Sequence, residues 1–376
     1  MQLNLNITPI NLWLPHSSKP ILISGPCSAE TERQLLSTAK ELAGSGKVHL
    51  FRAGIWKPRT RPNSFEGVGE KGLRWLQTVK EETGLPVTTE VASSKHVELC
   101  LKYGIDVLWI GARTSANPFS VQEIANALKG TDVPVLVKNP VNPELQLWIG
   151  ALERMNEAGI TKIAAVHRGF SSFEKTPFRN VPMWELPIEL KTICPALPVF
   201  CDPSHIAGSR ELIPMISQKA IDLDMIGLMI ESHFCPKTAL SDSRQQVTPA
   251  QLSKLLNELI IRDSKITNKK FEDQLEQLRT VIDEIDDEVI QNLSLRMDVA
   301  ERIGEYKREN KVTVLQVNRW EDIVNERLNS GLALGLSKKF INSFLKLIHE
   351  ESIRRQTKVM NNTTEKTIVK EANRSF

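Results

Sequence analysis

No stretch of the 376 residues strings together the roughly 18 to 20 apolar side chains that a membrane-spanning helix needs, so the chain is expected to be soluble. Net charge is scarce as well. The 48 Lys and Arg against 45 Asp and Glu leave +3, too weak a field to select phosphodiester backbones or acidic membranes, so neither nucleic acid nor membrane is expected as a partner. The five cysteines, at 27, 100, 194, 201 and 235, include no CxxC pair, and the opening MQLNLNITPI lacks the charged and apolar regions of a secretory signal. A cytoplasmic protein with reduced thiols is the expectation. At 41% hydrophobic, 25% charged and 6% aromatic, the composition excludes disorder, collagen and a pure coiled coil, and the length suits one large domain plus a small one.

What the chain does have is a repeat. Between residues 20 and 262 a short β-branched run, a polar loop and a stretch with helical spacing recur at intervals of about 30 residues. Eight runs can be counted, at 21–27, 48–56, 85–91, 107–112, 134–140, 162–169, 198–202 and 225–233. Runs apolar on nearly every residue suit strands covered on both faces, and eight βα units in about 240 residues match a closed (β/α)8 TIM barrel. A doubly wound open sheet is the alternative.

After Ile261 the pattern changes. A polar stretch at 263–270 reads as a linker, and residues 271–356 hold no strand-like run. Leu275, Leu278, Ile282, Ile285 and Val289, continued by Val299, Ala300 and Ile303, form one stripe on a helix of nearly 40 residues, too long to be stable alone. Helical patterns at 319–328 and 338–356 complete a three-helix, all-α domain that needs a partner to bury its stripe. Residues 357–376 are polar and expected to be disordered.

In a barrel of this kind reactive groups sit at the carboxyl ends of strands. Here those ends carry Cys27, Lys57, Glu90, Arg113, Lys138, Arg168, His205 and Glu231, with Asp242 in the loop after the eighth run. Each alone could be a loop end or a buried small residue; together they are an odd coincidence. Closure sets the eighth strand beside the first, so Cys27, His205, Glu231 and Asp242 can converge. Such a sulfur, nitrogen and oxygen set holds a divalent first-row transition metal and is too soft for calcium. Opposite them Lys57, Arg113, Lys138 and Arg168 form a cationic pocket fit for a phosphate and a carboxylate on one small molecule.

The motifs GPCSAE at 25–30, FRAGIWKPRT at 51–60, IGAR at 110–113, CDPSH at 201–205 and IESH with ALSD at 230–242 resemble the 3-deoxy-D-arabino-heptulosonate 7-phosphate (DAHP) synthases, in the subgroup related to the octulosonate phosphate synthases. The resemblance spans residues 1–262. It implies Cys27, His205, Glu231 and Asp242 as metal ligands, with Mn2+ expected and Fe2+, Co2+ or Zn2+ as alternatives. It implies Lys57, Arg113, Lys138 and Arg168 as the phosphoenolpyruvate clamp, and Arg59 and Thr60 as the phosphate site for erythrose 4-phosphate. KPRT at 57–60 favours that four-carbon sugar over arabinose 5-phosphate, and Cys27 favours a metal-dependent enzyme. Arg61 departs from the usual Ser. For the group that activates water, Glu90 and His167 are both open.

On the long helix Arg296 and Lys307 are 11 residues apart, within about 20° of one face, whereas Arg279 lies 17 residues earlier and about 100° away. Ser352 and Gln356 are i, i+4 neighbours on the last helix, and Arg319 opens the middle one. A solvated dimerisation module would also explain these positions. The stretch LRTVIDEIDDEVIQNLSLRMDVAERIGEYK, however, resembles the opening helix of the all-helical chorismate mutases. The resemblance implies Lys307 and Gln356 as donors to the ether oxygen of chorismate, and Arg279, Arg296, Arg319 and Ser352 as substrate-binding residues. It implies two interlocked chains, with Arg279 serving the partner's site. Trp320 and Gln316 depart from common family patterns. The expectation is thus a bifunctional enzyme of the shikimate pathway, dimeric through its helical domain and open to further assembly into a tetramer, with prephenate as feedback ligand on the barrel. The alternative makes the helical domain a silent regulatory and dimerisation sensor.

Overall fold

The computed structural model describes residues 3–14, 19–57, 65–262, 268–315 and 317–372. The chain divides into two compact units, Met1–Ser264 and Lys265–Phe376. In the first, eight parallel strands follow one another round a closed barrel: β1 Ile21–Gly25, β2 Leu50–Arg52, β3 Val87–Val91, β4 Val107–Ile110, β5 Val135–Lys138, β6 Ile163–His167, β7 Val199–Cys201 and β8 Gly227–Glu231. The pairing of β1 with β8, from Ile21 opposite Gly227 to Gly25 opposite Glu231, makes the closure and excludes an open sheet. Helices α1 Glu32–Gly44, α2 Lys71–Thr83, α3 Ser94–Lys102, α4 Pro118–Leu128, α5 Leu145–Glu157, α6 Glu185–Ile193, α7 Ile213–Asp222 and α8 Pro249–Glu258 follow the strands in turn. Their starts are coded locally. Thr31 accepts from the Gln34 N–H, Ser93 from that of His96, and Thr248 and Gln251 close a reciprocal capping box.

Successive strand side chains point to opposite faces, so each strand feeds two cores. One set, including Leu22, Phe51, Leu108, Val135, Val137, Ala165 and Ile230, packs under the helices. The other, Ile21, Ile23, Leu50, Val107, Trp109, Leu136, Ala164, Val166, Phe200 and Met229, fills the lumen, and Ile10 and Leu14 of the N-terminal segment join it. Two residues further along the inward set come Arg52, Lys138, Arg168, Asp202 and Glu231, all buried. An apolar lumen is therefore topped by a charged layer at the carboxyl ends of the strands.

The second unit consists of α9 Lys269–Glu309, 41 residues long, α10 Val317–Ala333 and α11 Lys338–Ala372. The middle helix extends beyond the expected 319–328 at both ends. The expected tail at 357–376 falls only partly within the described residues: α11 runs on to Ala372, and TKVMNNTTEKTIVKEA contains neither Gly nor Pro to stop it. The expected linker 263–270 also shortens, since α9 begins at Lys269 behind an Asn268 cap. Met297, Ala300 and Gly304 of α9 are buried, as are Ile341, Ser352 and Gln356 of α11. Further up α9, Leu278, Ile282, Ile285 and Val289 are each at least 43% exposed. Among the described residues no helix is long and apolar enough to cross a membrane.

Candidate active sites

At the carboxyl ends of the barrel strands lies a cavity of 340 Å³, lined by Lys57, Glu90, Arg113, Lys138, Arg168, Arg179, Asn180, His205 and Asp242 among others. All four expected clamp residues thus face one space. Lys138 is held by Asp202 at 2.6 Å; burial lowers its pKa and the carboxylate works against that. Burial brings the Arg168 guanidinium down to about 10, which leaves it charged at neutral pH. Arg59 and Thr60, with Pro58 and Arg61, lie outside the described residues.

Against this cationic wall, Cys27, Glu231 and Asp242 each present a ligand atom within 4.8 Å of the others. His205 stands beside that trio, its Nε2 3.7 Å from Glu231 Oε1 and its Nδ1 2.8 Å from Asp202 Oδ2. Burial and the neighbouring Glu231 push the Cys27 thiol up to about 12, so it carries its proton and donates to Asp242 Oδ2 at 3.3 Å. Burial opposes ionisation of Asp242, yet Arg179, His205 and Lys57 outweigh it and hold the carboxyl well below the usual range. Glu231 is likewise held down by His205 and Arg52 against burial. Lys57 Nζ donates to Cys27 Sγ at 3.1 Å and so joins the two walls.

Glu90 lines the cavity and accepts from Trp109 Nε1 at 3.2 Å. His167 does not line it. Its ring packs near Phe170 and Trp184, with centroids at 5.8 and 5.1 Å, and burial takes its pKa down to about 3.

In the helical unit Arg296 Nη1 donates to Ser352 Oγ at 2.5 Å, Lys307 Nζ donates to the Val314 carbonyl at 2.6 Å, and Gln356 is buried. These four expected residues share the inner side of α9 and α11. Arg279 is elsewhere: it is exposed and pairs with Glu276, about 25 Å along the helix axis from Arg296 at 1.5 Å per residue. The side chain of Arg319 and all of Gln316 lie outside the described residues. Trp320 stacks on His349 at 3.7 Å, and burial, Arg296 and Lys307 lower the pKa of that histidine.

Residues 15–268 match the model of the DAHP synthetase I family. The chain belongs to that family. Residues 278–357 match chorismate mutase type II, and the protein is a bifunctional enzyme with a DAHP synthase barrel and a chorismate mutase domain. A phospho-2-dehydro-3-deoxyheptonate aldolase of Thermotoga maritima is 34% identical over 238 residues, 63% of this chain and 68% of the relative. A 2-dehydro-3-deoxyphosphooctonate aldolase of Thioalkalivibrio sulfidiphilus is 32% identical over 240 residues, 59% of this chain and 81% of the relative. The crystal structure of the Thermotoga maritima DAHP synthase aligns with a TM-score of 0.60 at 31% identity, covering 67% of this chain and 72% of that one.

Two further buried charges of the DAHP synthase barrel, Arg52 inside one run and Asp202 at the end of another, were not among the expected site residues. Arg52 Nη2 lies 3.2 Å from Glu231 Oε1, with its guanidinium 4.9 Å above the Trp109 ring. Asp202 holds both Lys138 and His205. Strand parity was the available signal, since Arg52 and Asp202 are each two residues beyond an inward-facing Leu50 or Phe200.

Proposed function

We propose that the barrel condenses phosphoenolpyruvate with erythrose 4-phosphate in a divalent-metal-dependent, aldol-like reaction, and that the helical unit rearranges chorismate to prephenate. The observation that carries the first part is the cavity lined by four cations together with His205 and Asp242, with Cys27 and Glu231 buried behind Asp242 and within 4.8 Å of it. The donor set fits a transition metal, because a soft sulfur and two carboxylate groups present atoms within 4.8 Å of one another with an imidazole beside them. Cys27, Glu231, Asp242 and His205 would hold it, with Mn2+ the first choice and Fe2+, Co2+ or Zn2+ as alternatives. Such an ion supplies Lewis-acid polarisation of the aldehyde oxygen.

The chain's own groups do the rest. Lys57, Arg113, Lys138 and Arg168 hold the phosphate and carboxylate of phosphoenolpyruvate, and orient its methylene carbon toward the aldehyde. A carbon–carbon bond forms there, water adds to the former enol carbon, and phosphate leaves by C–O cleavage. Glu90, inside the cavity and fixed by Trp109, is placed to take the proton of that water. The Arg59 and Thr60 pair of KPRT binds the sugar phosphate.

In the helical unit Lys307 and Gln356 donate to the ether oxygen as its bond breaks, Arg296 fixed by Ser352 holds a carboxylate, and Arg319 supports the substrate. Arg279 serves the partner's site in a homodimer. Prephenate bound there restrains the barrel. Catalysis is favoured over a silent sensor because Lys307 and Gln356 lie on the same inner side as Arg296 and Ser352, and a carboxylate sensor needs no ether-oxygen donor.

The test is direct. The full chain should convert chorismate to prephenate, and should condense erythrose 4-phosphate faster than arabinose 5-phosphate. Chelation should abolish condensation, added Mn2+ should restore it, and the mutase rate should not change. Condensation at full rate in metal-free protein would refute the metal assignment, and absence of chorismate turnover would leave the sensor reading in its place.

A further inference from the structure

Two adjacent side chains in the loop after β6 touch both walls of the barrel site. Asn180 Oδ1 accepts from Arg168 Nη1 at 2.7 Å, while its Nδ2 donates to the His205 carbonyl at 2.6 Å. Arg179 Nη1 donates to Asp242 Oδ1 at 2.9 Å and to Gln245 Oε1 at 2.7 Å, and Gln245 Nε2 donates onward to Glu231 Oε2 at 2.7 Å. Their backbone N–H groups reach the Ala207 and Ile206 carbonyls at 3.3 and 3.2 Å, stitching the loop to the short helix Pro203–Ala207 that carries His205. Space for the pair is kept by two glycines in the left-handed region. A Cβ at Gly208, φ +69°, would lie 2.4 Å from the Arg179 Cβ, and one at Gly169, φ +77°, would lie 2.9 Å from the Asn180 Cβ.

Resting on the metal and clamp assignments above, we infer that Arg179 and Asn180 form a positioning bracket that ties the metal ligands to the phosphoenolpyruvate clamp. Asp242 and the His205 backbone are held directly by these two residues, Glu231 through Gln245, and the clamp residue Arg168 by Asn180. Ordering one wall therefore orders the other, and metal and phosphoenolpyruvate bind with positive coupling. Both line the cavity, and the role assigned to them is exerted through the groups they hold.

The experiment measures phosphoenolpyruvate affinity calorimetrically on the full chain, first stripped of metal and then with Mn2+, alongside Mn2+ affinity from the free-ion paramagnetic resonance signal. The wild type should bind phosphoenolpyruvate at least about fivefold tighter with Mn2+. Asn180→Asp keeps an acceptor for Arg168 but turns a carboxylate oxygen toward the His205 carbonyl. Whatever the new charge does to metal-free phosphoenolpyruvate affinity, the ratio of affinities with and without Mn2+ should fall to about one. Arg179→Met should weaken Mn2+ binding by about tenfold or more, with kcat falling further than KM for phosphoenolpyruvate rises. A wild type without the gain, or both variants folded and showing the wild-type gain, overturns the bracket. Mn2+ binding as tight in Cys27→Ala as in the wild type would overturn the metal site itself, and the bracket with it.

Discussion

At the scale of the residue, His167 departs from ordinary acid–base behaviour outside the cavity, since burial lowers its pKa to about 3. The unfolded chain protonates this imidazole near its ordinary value of about 6.5. Between those two values only the unfolded state takes up the proton, so the contribution is absent above about pH 6.5 and destabilises progressively below it. At pH 5 it amounts to about 2 kcal/mol at 1.36 kcal/mol per unit. His167→Gln should therefore lose less stability than the wild type between pH 7 and pH 5, measured as the shift of the urea midpoint; identical shifts would contradict this account. The same residue shows where reading the sequence reaches its limit. His167 and Arg168 are adjacent at the end of one run, and only the pleat sends the arginine into the cavity and the histidine under the helices. Cys27, Lys57, Glu231 and Asp242 were legible because they stand at or beyond run ends. Arg179, Asn180 and Gln245 were not, because a loop's path over the barrel mouth leaves no periodic trace.

At the scale of the element, α9 divides its labour. Its carboxyl-terminal half buries Met297, Ala300 and Gly304, whereas the half bearing Leu278, Ile282, Ile285 and Val289 stays exposed within one chain. Burial of a side chain of this kind is worth about 1.5 to 3 kcal/mol, so in the proposed homodimer the exposed row would be the seam for the second copy. Replacing Ile282 and Ile285 with Glu should yield monomers by analytical ultracentrifugation and collapse mutase activity, while condensation persists. Mixing Arg279→Ala with Lys307→Ala chains should regenerate some mutase sites in hybrid dimers; hybrids that remain inactive after verified exchange would rule out sharing. The length of α9 followed from its stripe. The reach of α11 past Gln356 did not, because its added turns carry no apolar period and only the absence of a breaker permits them.

At the scale of the whole molecule, two compact units share one polypeptide. Regulation of condensation by prephenate is expected to depend on that union. A chain ending at Arg262 should keep phosphoenolpyruvate binding and lose inhibition by prephenate, whereas unchanged inhibition would move the regulatory site into the barrel. The barrel's closure was legible from eight evenly spaced runs, although nothing in them foretold that Ile10 and Leu14 would enter the lumen core. Those two side chains make the barrel a blind well. Lys138 and Arg168, each no more than 9% exposed, lie at its depth, and on the proposed reading reactants and products share one mouth. Traffic through a single doorway has an order. On the proposed reading, phosphoenolpyruvate should enter before the sugar phosphate stoppers the opening and should be unable to leave while that partner stays. Enzyme loaded with labelled phosphoenolpyruvate, then mixed with excess unlabelled compound and erythrose 4-phosphate, should carry most of its bound label into product, the trapped fraction rising toward one as the sugar phosphate increases. A trapped fraction that plateaus well below one would mean that the well has a second exit.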